Sequence, residues 1–132
     1  MIGRRIAHYR IIEPLGEGRL GTMYRARDER TGRDVSLRVL PEAFLRGEDD
    51  RRSFRQAALQ LIRLHHPCVA DVLDFVSEDG LDVVVCEYVE GETLAQALAR
   101  GRLTERLAVR VARDVAEGLA AGEPVVVQPG NL

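Results

Sequence analysis

The stretch Leu15-Gly16-Glu17-Gly18-Arg19-Leu20-Gly21-Thr22-Met23-Tyr24 decides the fold. It sets three glycines between two segments of alternating character. Upstream, Tyr9, Ile11 and Leu15 fall at alternate positions; downstream, Met23-Tyr24-Arg25-Ala26-Arg27-Asp28 alternates again. A period of two predicts strands. Thr31-Gly32 then signals a turn, and Val35 to Leu40 is a third β-rich run. The glycines therefore join two strands of a hairpin. A dinucleotide-binding fold would start a helix directly after the third glycine, and none is readable before Pro41.

Glycine lets backbone N–H groups approach phosphate oxygens closely and adopt positive φ. Alone, the motif is weak, because the ordinary alternative is a flexible hairpin tip. The succession of segments after it gives it weight. On the third run Val35, Leu37 and Val39 share one face, and Ser36 and Arg38 share the other, toward the glycine hairpin. A helix is expected from about Arg51 to Leu64, preceded by a polar loop at Gly47-Glu48-Asp49-Asp50 and stopped by Pro67. Its apolar stripe is Phe54, Ala58, Leu61 and Ile62.

Val69 to Val76 reads as a strand and Glu78-Asp79-Gly80 as a turn. Leu81 to Tyr88 is apolar almost throughout, which predicts a central strand covered on both faces. Two helices come next, near Thr93–Ala99 and Thr104–Ala120. The longer one carries Leu103, Leu107, Val111, Val115 and Leu119.

With 132 residues, 45% of them hydrophobic, the chain is one domain or part of one. A net charge of -2 gives no case for nucleic acid or an anionic membrane as partner. All 19 basic residues are Arg. Cys68 and Cys86 lie in apolar sequence without metal spacing and read as reduced core thiols, and His65-His66 has no second ligand pair. No run is long enough to span a membrane, and Arg4-Arg5 precedes no apolar core, so a cytoplasmic chain is expected.

The order of elements resembles the small lobe and hinge of a protein kinase, of the bacterial eukaryotic-like Ser/Thr type. The residues carrying the likeness are His8 to Asp28 as the flap, Val35-Ser36-Leu37-Arg38 as the strand with the family's lysine, and His66-Pro67 closing the helix. Val85-Cys86-Glu87-Tyr88-Val89-Glu90-Gly91-Glu92-Thr93-Leu94 resembles the hinge, and Val127 to Leu132 the tail of the catalytic loop. The resemblance implies an α+β fold. Residues 1–88 form a five-stranded antiparallel sheet with one helix; residues 89–132 form a hinge and a partial helical lobe. It also implies a nucleotide site formed by Leu15, Gly16, Glu17, Gly18, Arg19, Leu20, Gly21, Met23, Ser36, Arg38, Cys86, Glu87 and Val89.

Departures from the family's pattern weigh against catalysis, and no catalytic residue is assigned. The strand lysine is Arg38, the helix glutamate's position is Ala57, and the catalytic aspartate's position is Val126. Asn131 matches one metal ligand, while the D-F-G aspartate is absent from this sequence. ATP binding is expected to be weak and only slightly dependent on magnesium. Three functions stay open: a pseudokinase with a binding or regulatory role, a fragment of an active kinase, and a nonfunctional truncated product. The 104–120 helix is expected to leave an apolar face for a protein partner or self-association.

Overall fold

In the computed structural model, which describes residues 1–18, 21–41, 47–91, 93–101 and 103–121, the glycine stretch is a β-hairpin. Strand β2 (Tyr9–Gly18) meets β3 (Gly21–Asp28), and Gly18 pairs with Gly21 across the tip. The third glycine opens a strand, not the helix of a dinucleotide-binding fold. A two-residue strand β1 (Arg5–Ile6) pairs with β2. Strand β4 is Asp34–Val39, β5 is Val72–Glu78 and β6 is Leu81–Glu87. The sheet order is β1-β2-β3-β4-β6-β5, antiparallel throughout. The five expected strands are present, and β1 makes six.

Alternation holds on β2 only as far as Ile11. Register shifts between Ile11 and Glu13 and between Pro14 and Gly16 leave Ile12 and Leu15 as the extra residues. Each bulge turns its extra residue out of the ladder, and Ile12 and Leu15 are 37% and 41% exposed. Leu15 thus leaves the face of Tyr9 and Ile11. On β4 the two faces separate as expected. Leu37 and Val35 join Ile6, Tyr9, Ile11, Ala26, Val83 and Val85 in the core, with Val39 packed against it. Ser36 and Arg38 face the other way. Strand β6 is central, between β4 and β5, but its second face is only half covered: Val84 and Cys86 are partly exposed.

Helix α1 (Glu48–Arg63) starts three residues before the expected point. Glu48, Asp49 and Asp50 form its first turn, where carboxylates favour the positive end of the helix. Phe54 lies 5.5 Å from Phe75 of β5, centroid to centroid. Arg51 reaches the buried carboxylate of Asp82 at 3.3 Å, and Ser77 donates to the same carboxylate at 2.7 Å. Strand β5 begins later and ends later than expected. Its hairpin to β6 turns on Asp79 and Gly80, both at positive φ (51° and 76°), the two-residue form that suits twisted strands.

Helix α2 (Leu94–Ala99) is capped by Thr93, whose hydroxyl accepts from Gln96 N at 3.1 Å while Thr93 N donates to the Gln96 side chain at 2.8 Å. Helix α3 (Glu105–Ala121) has Thr104 accepting from Leu107 N. Its covered seam is Ala108, Val111, Val115 and Gly118 rather than a strict four-residue stripe. Each four-residue step drifts about 40° round a helix. Leu107 and Leu119 consequently lie at the margins, 40% and 39% exposed.

Gly118 is where α3 seats on the loop before β5. A Cβ there would lie 2.7 Å from the Cys68 carbonyl oxygen and 3.3 Å from Val69. Two effects compete in Gly118→Ala. Helix propensity gains about 1 kcal/mol. Pushing a helix off a backbone carbonyl costs more, as overpacking typically costs about 1–3 kcal/mol. We expect net destabilisation in chemical denaturation; a more stable Gly118→Ala would show that α3 does not seat there.

Candidate nucleotide cleft

Strand register gathers the cleft residues on one face. Gly16 pairs with Met23, Met23 with Arg38, and Arg38 with Val84. Further along the strands, Glu13 pairs with Arg25, Arg25 with Ser36, and Ser36 with Cys86. Met23, Ser36, Arg38 and Cys86 therefore stand side by side below the glycine hairpin. Arg38 Nη2 lies 3.1 Å from Met23 Sδ. Burial lowers the Arg38 pKa, and nearby Cys86 opposes that shift. Burial pushes the Cys86 thiol up to about 11, against the pull of Arg38. Cys86 is a protonated, half-buried thiol on the cleft face, not a residue of the apolar core.

The end of β6 is held by its neighbours. Ser36, 6% exposed, donates its hydroxyl toward the Glu87 carbonyl (3.3 Å) and the Cys86 carbonyl (3.5 Å). Glu87 N donates to Asp71 O at 2.9 Å, and Glu87 Oε1 accepts from Asp71 N at 3.0 Å. Glu87 and Val89 are exposed, Val89 at 66%. Leu15, Gly16, Glu17 and Gly18 lie exposed on the hairpin. Arg19, Leu20, Val126 and Asn131 lie outside the described residues. Ala57 is half-buried on α1, one residue before the buried Ala58.

Arg25 and Tyr88 were missed by sequence reasoning. Arg25 Nε donates to Asp34 Oδ2 at 2.9 Å, Nη2 donates to the same oxygen, and Nη1 reaches Glu13 Oε1 at 3.4 Å. Its guanidinium lies 4.6 Å from the Tyr88 ring centroid. The hydrogen bond from Arg25 is the main reason the Asp34 carboxyl is held below its ordinary range, and the same bond raises the Arg25 pKa. The available signal was period two: Arg25 shares a strand face with Met23, as Ser36 does with Arg38.

The second cysteine departs from expectation. Cys68 Sγ is 3.8 Å from Glu117 Oε2, and Cys68, Asp114 and Glu117 place ligand atoms within 4.8 Å of one another. Partial burial and then the two carboxylates raise the thiol's pKa. Among the described residues no helix is long and apolar enough to cross a membrane.

A family model described as "Protein kinase domain" matches residues 9–121. The chain belongs to the protein kinase family. It is 37% identical over 139 aligned positions to the serine/threonine-protein kinase pkn3 of Myxococcus xanthus, covering 99% of this chain and 25% of that one. It is 32% identical to a probable serine/threonine-protein kinase of Clostridium perfringens, covering 90% of this chain and 18% of that one. Against PrkC of Bacillus subtilis the identity is 30%, covering 91% and 19%. A crystal structure of the Mycobacterium tuberculosis PknI kinase domain superposes with a TM-score of 0.86 at 25% identity, over 98% of this chain and 56% of that one. The kinase-like domain here thus spans a quarter or less of these relatives' lengths and about half of the PknI domain. Its curled antiparallel sheet and helices are those of a small lobe with the first large-lobe helices.

The cleft face carries Met23 as an apolar side chain, and the Cys86 and Glu87 carbonyls at its edge accept from the buried Ser36 hydroxyl. The fit of magnesium turns on Asn131, outside the described residues.

Proposed function

We propose that this kinase-like domain binds ATP weakly, does not transfer phosphate, and works as a binding or regulatory module. The observation that carries this is Ala57: α1 presents a methyl group where the family's helix carries the glutamate that orients the strand cation. Val126 at the catalytic aspartate's position points the same way, since a valine side chain has no lone pair to accept the substrate proton. Arg38 keeps the positive charge of the family's lysine, but as a planar fork rather than a compact ammonium. The protein partner, or a second copy, would meet α3, where Leu107, Val109 and Leu119 are exposed. The cytoplasm is the proposed compartment.

A second function, part of an active Ser/Thr kinase, is favoured by one fact. The chain spans only 18–25% of the three kinases compared above, so a longer protein has room for the residues missing here.

Thermal shift with ATP tests the binding claim. A ligand at one hundred times its dissociation constant stabilises the folded state by about 2.7 kcal/mol. We expect only a small shift at millimolar ATP, nearly unchanged by EDTA. A large shift that requires magnesium would favour the active-kinase function.

A further inference from the structure

Glu87 and Tyr88, the two residues before Val89, are held from two sides. On one side Glu87 is tied to Asp71 by two hydrogen bonds and its carbonyl is met by Ser36. On the other side the ring of Tyr88 lies over Arg25 of β3. The Arg25 guanidinium is fixed in its own plane: two of its nitrogens bond Asp34 at the start of β4, and a third reaches Glu13 of β2. Arg27 donates to the other Asp34 oxygen at 3.1 Å, which fixes the carboxylate too. A guanidinium clamped in its plane presents its face at a set height, and an aromatic ring settles on it. Arg25 is thus the contact that ties the hinge to both strands of the glycine hairpin.

We propose that Arg25 is a positioning residue for the base of the bound nucleotide, acting through Tyr88 to fix the backbone of Glu87 and Val89 against the cleft. This rests on the nucleotide-binding function proposed above. Arg25 does not touch the base; the adenosine part of the ligand senses it through the hinge backbone. The phosphate part meets the glycine hairpin and is indifferent to Tyr88.

That separation defines the experiment. Binding of adenosine, ATP and inorganic tripolyphosphate is measured by calorimetry on the full chain and its variants. Loss of a cation–ring contact and of the hinge path it sets is expected to weaken adenosine and ATP about tenfold in Arg25→Met and Tyr88→Leu. Tripolyphosphate binding should stay the same. Tyr88→Phe keeps the ring and should bind like the wild type. Arg25→Lys should fall between, because lysine keeps the charge but cannot grip Asp34 with two nitrogens. The Arg25→Met, Tyr88→Leu double variant should be no worse than either single one.

Equal weakening of all three ligands, or no effect on adenosine, overturns the proposal. Should Arg25→Met fail to fold, the contrast of Tyr88→Leu with Tyr88→Phe decides alone. Wild-type protein that binds neither adenosine nor ATP overturns the nucleotide-binding function, and this inference with it. Binding without a base-specific loss overturns only the role of Arg25.

Discussion

Gly21→Ala is expected to destabilise this domain by at least about 3 kcal/mol, enough to lower its melting temperature by roughly 10 °C in a chain of this size. Gly21 has φ +101°, where an L side chain is strained. The larger cause is space. A Cβ at Gly21 would lie 1.9 Å from the Val39 carbonyl oxygen and 3.1 Å from the Pro41 ring. Neither neighbour is a flexible side-chain end that could swing away. Thr22 pairs with Val39, so the overlap falls where β3 joins β4, beside the hairpin tip. Either the hairpin lifts from β4 or the end of β4 moves. Gly16 makes an instructive contrast: a Cβ there meets nothing within 4 Å, although its φ of 152° still disfavours a side chain. Gly21 is needed by the fold whether or not phosphate ever meets the loop. Urea denaturation of Gly21→Ala within about 1 kcal/mol of wild type would refute this.

Phosphoryl transfer is expected to be at least about a thousandfold below a typical kinase rate, since general-base catalysis alone contributes about 10²–10⁴-fold. No single replacement among Arg38→Lys, Ala57→Glu and Val126→Asp should restore it. Phosphoryl transfer leans on positioning and charge stabilisation, so groups that act together recover little one at a time. Arg38 lies against Met23 and beside Cys86, so a lysine there would sit within the same sulfur-lined surroundings. Ala57→Glu would place a carboxylate on a half-buried face next to the tightly packed Ala58, adding a desolvation cost to whatever pairing it gains. The assay is radiolabel transfer from ATP to a generic Ser/Thr substrate. Contaminating kinase is recognised by an Arg38→Ala variant purified identically. Wild-type turnover that Arg38→Ala abolishes would restore the enzyme and remove the pseudokinase.

Much of this domain was legible from period and punctuation. The alternation around the glycines gave the hairpin, and the two faces of β4 came from Val35, Leu37 and Val39 against Ser36 and Arg38. The two helices near Thr93–Ala99 and Thr104–Ala120 were also expected, although the capping box at Thr93 was not. These features are local: a strand's period and a cap's hydrogen bond need only a few adjacent residues. The order of motifs around Gly16, Arg38, His66-Pro67 and Glu87 also carried the family, which the match over residues 9–121 shows.

Tertiary structure decided the rest. The bulges at Ile12 and Leu15 depend on how β2 pairs with β3, and they turned Leu15 away from the face its spacing predicted. The seam of α3 was set by Gly118 meeting the Cys68 carbonyl, not by the row of apolar residues on the helix. Cys68 proved to lie among carboxylates because α3 brings Asp114 and Glu117 to it across the chain. Arg25 read as one of many arginines until the sheet placed it between Glu13, Asp34 and Tyr88, residues 12, 9 and 63 positions away. A sequence determines which side chain occurs at each position and which face of its own strand it takes. Which partners it meets depends on register and packing between distant segments, and there the charges of this cleft were assigned.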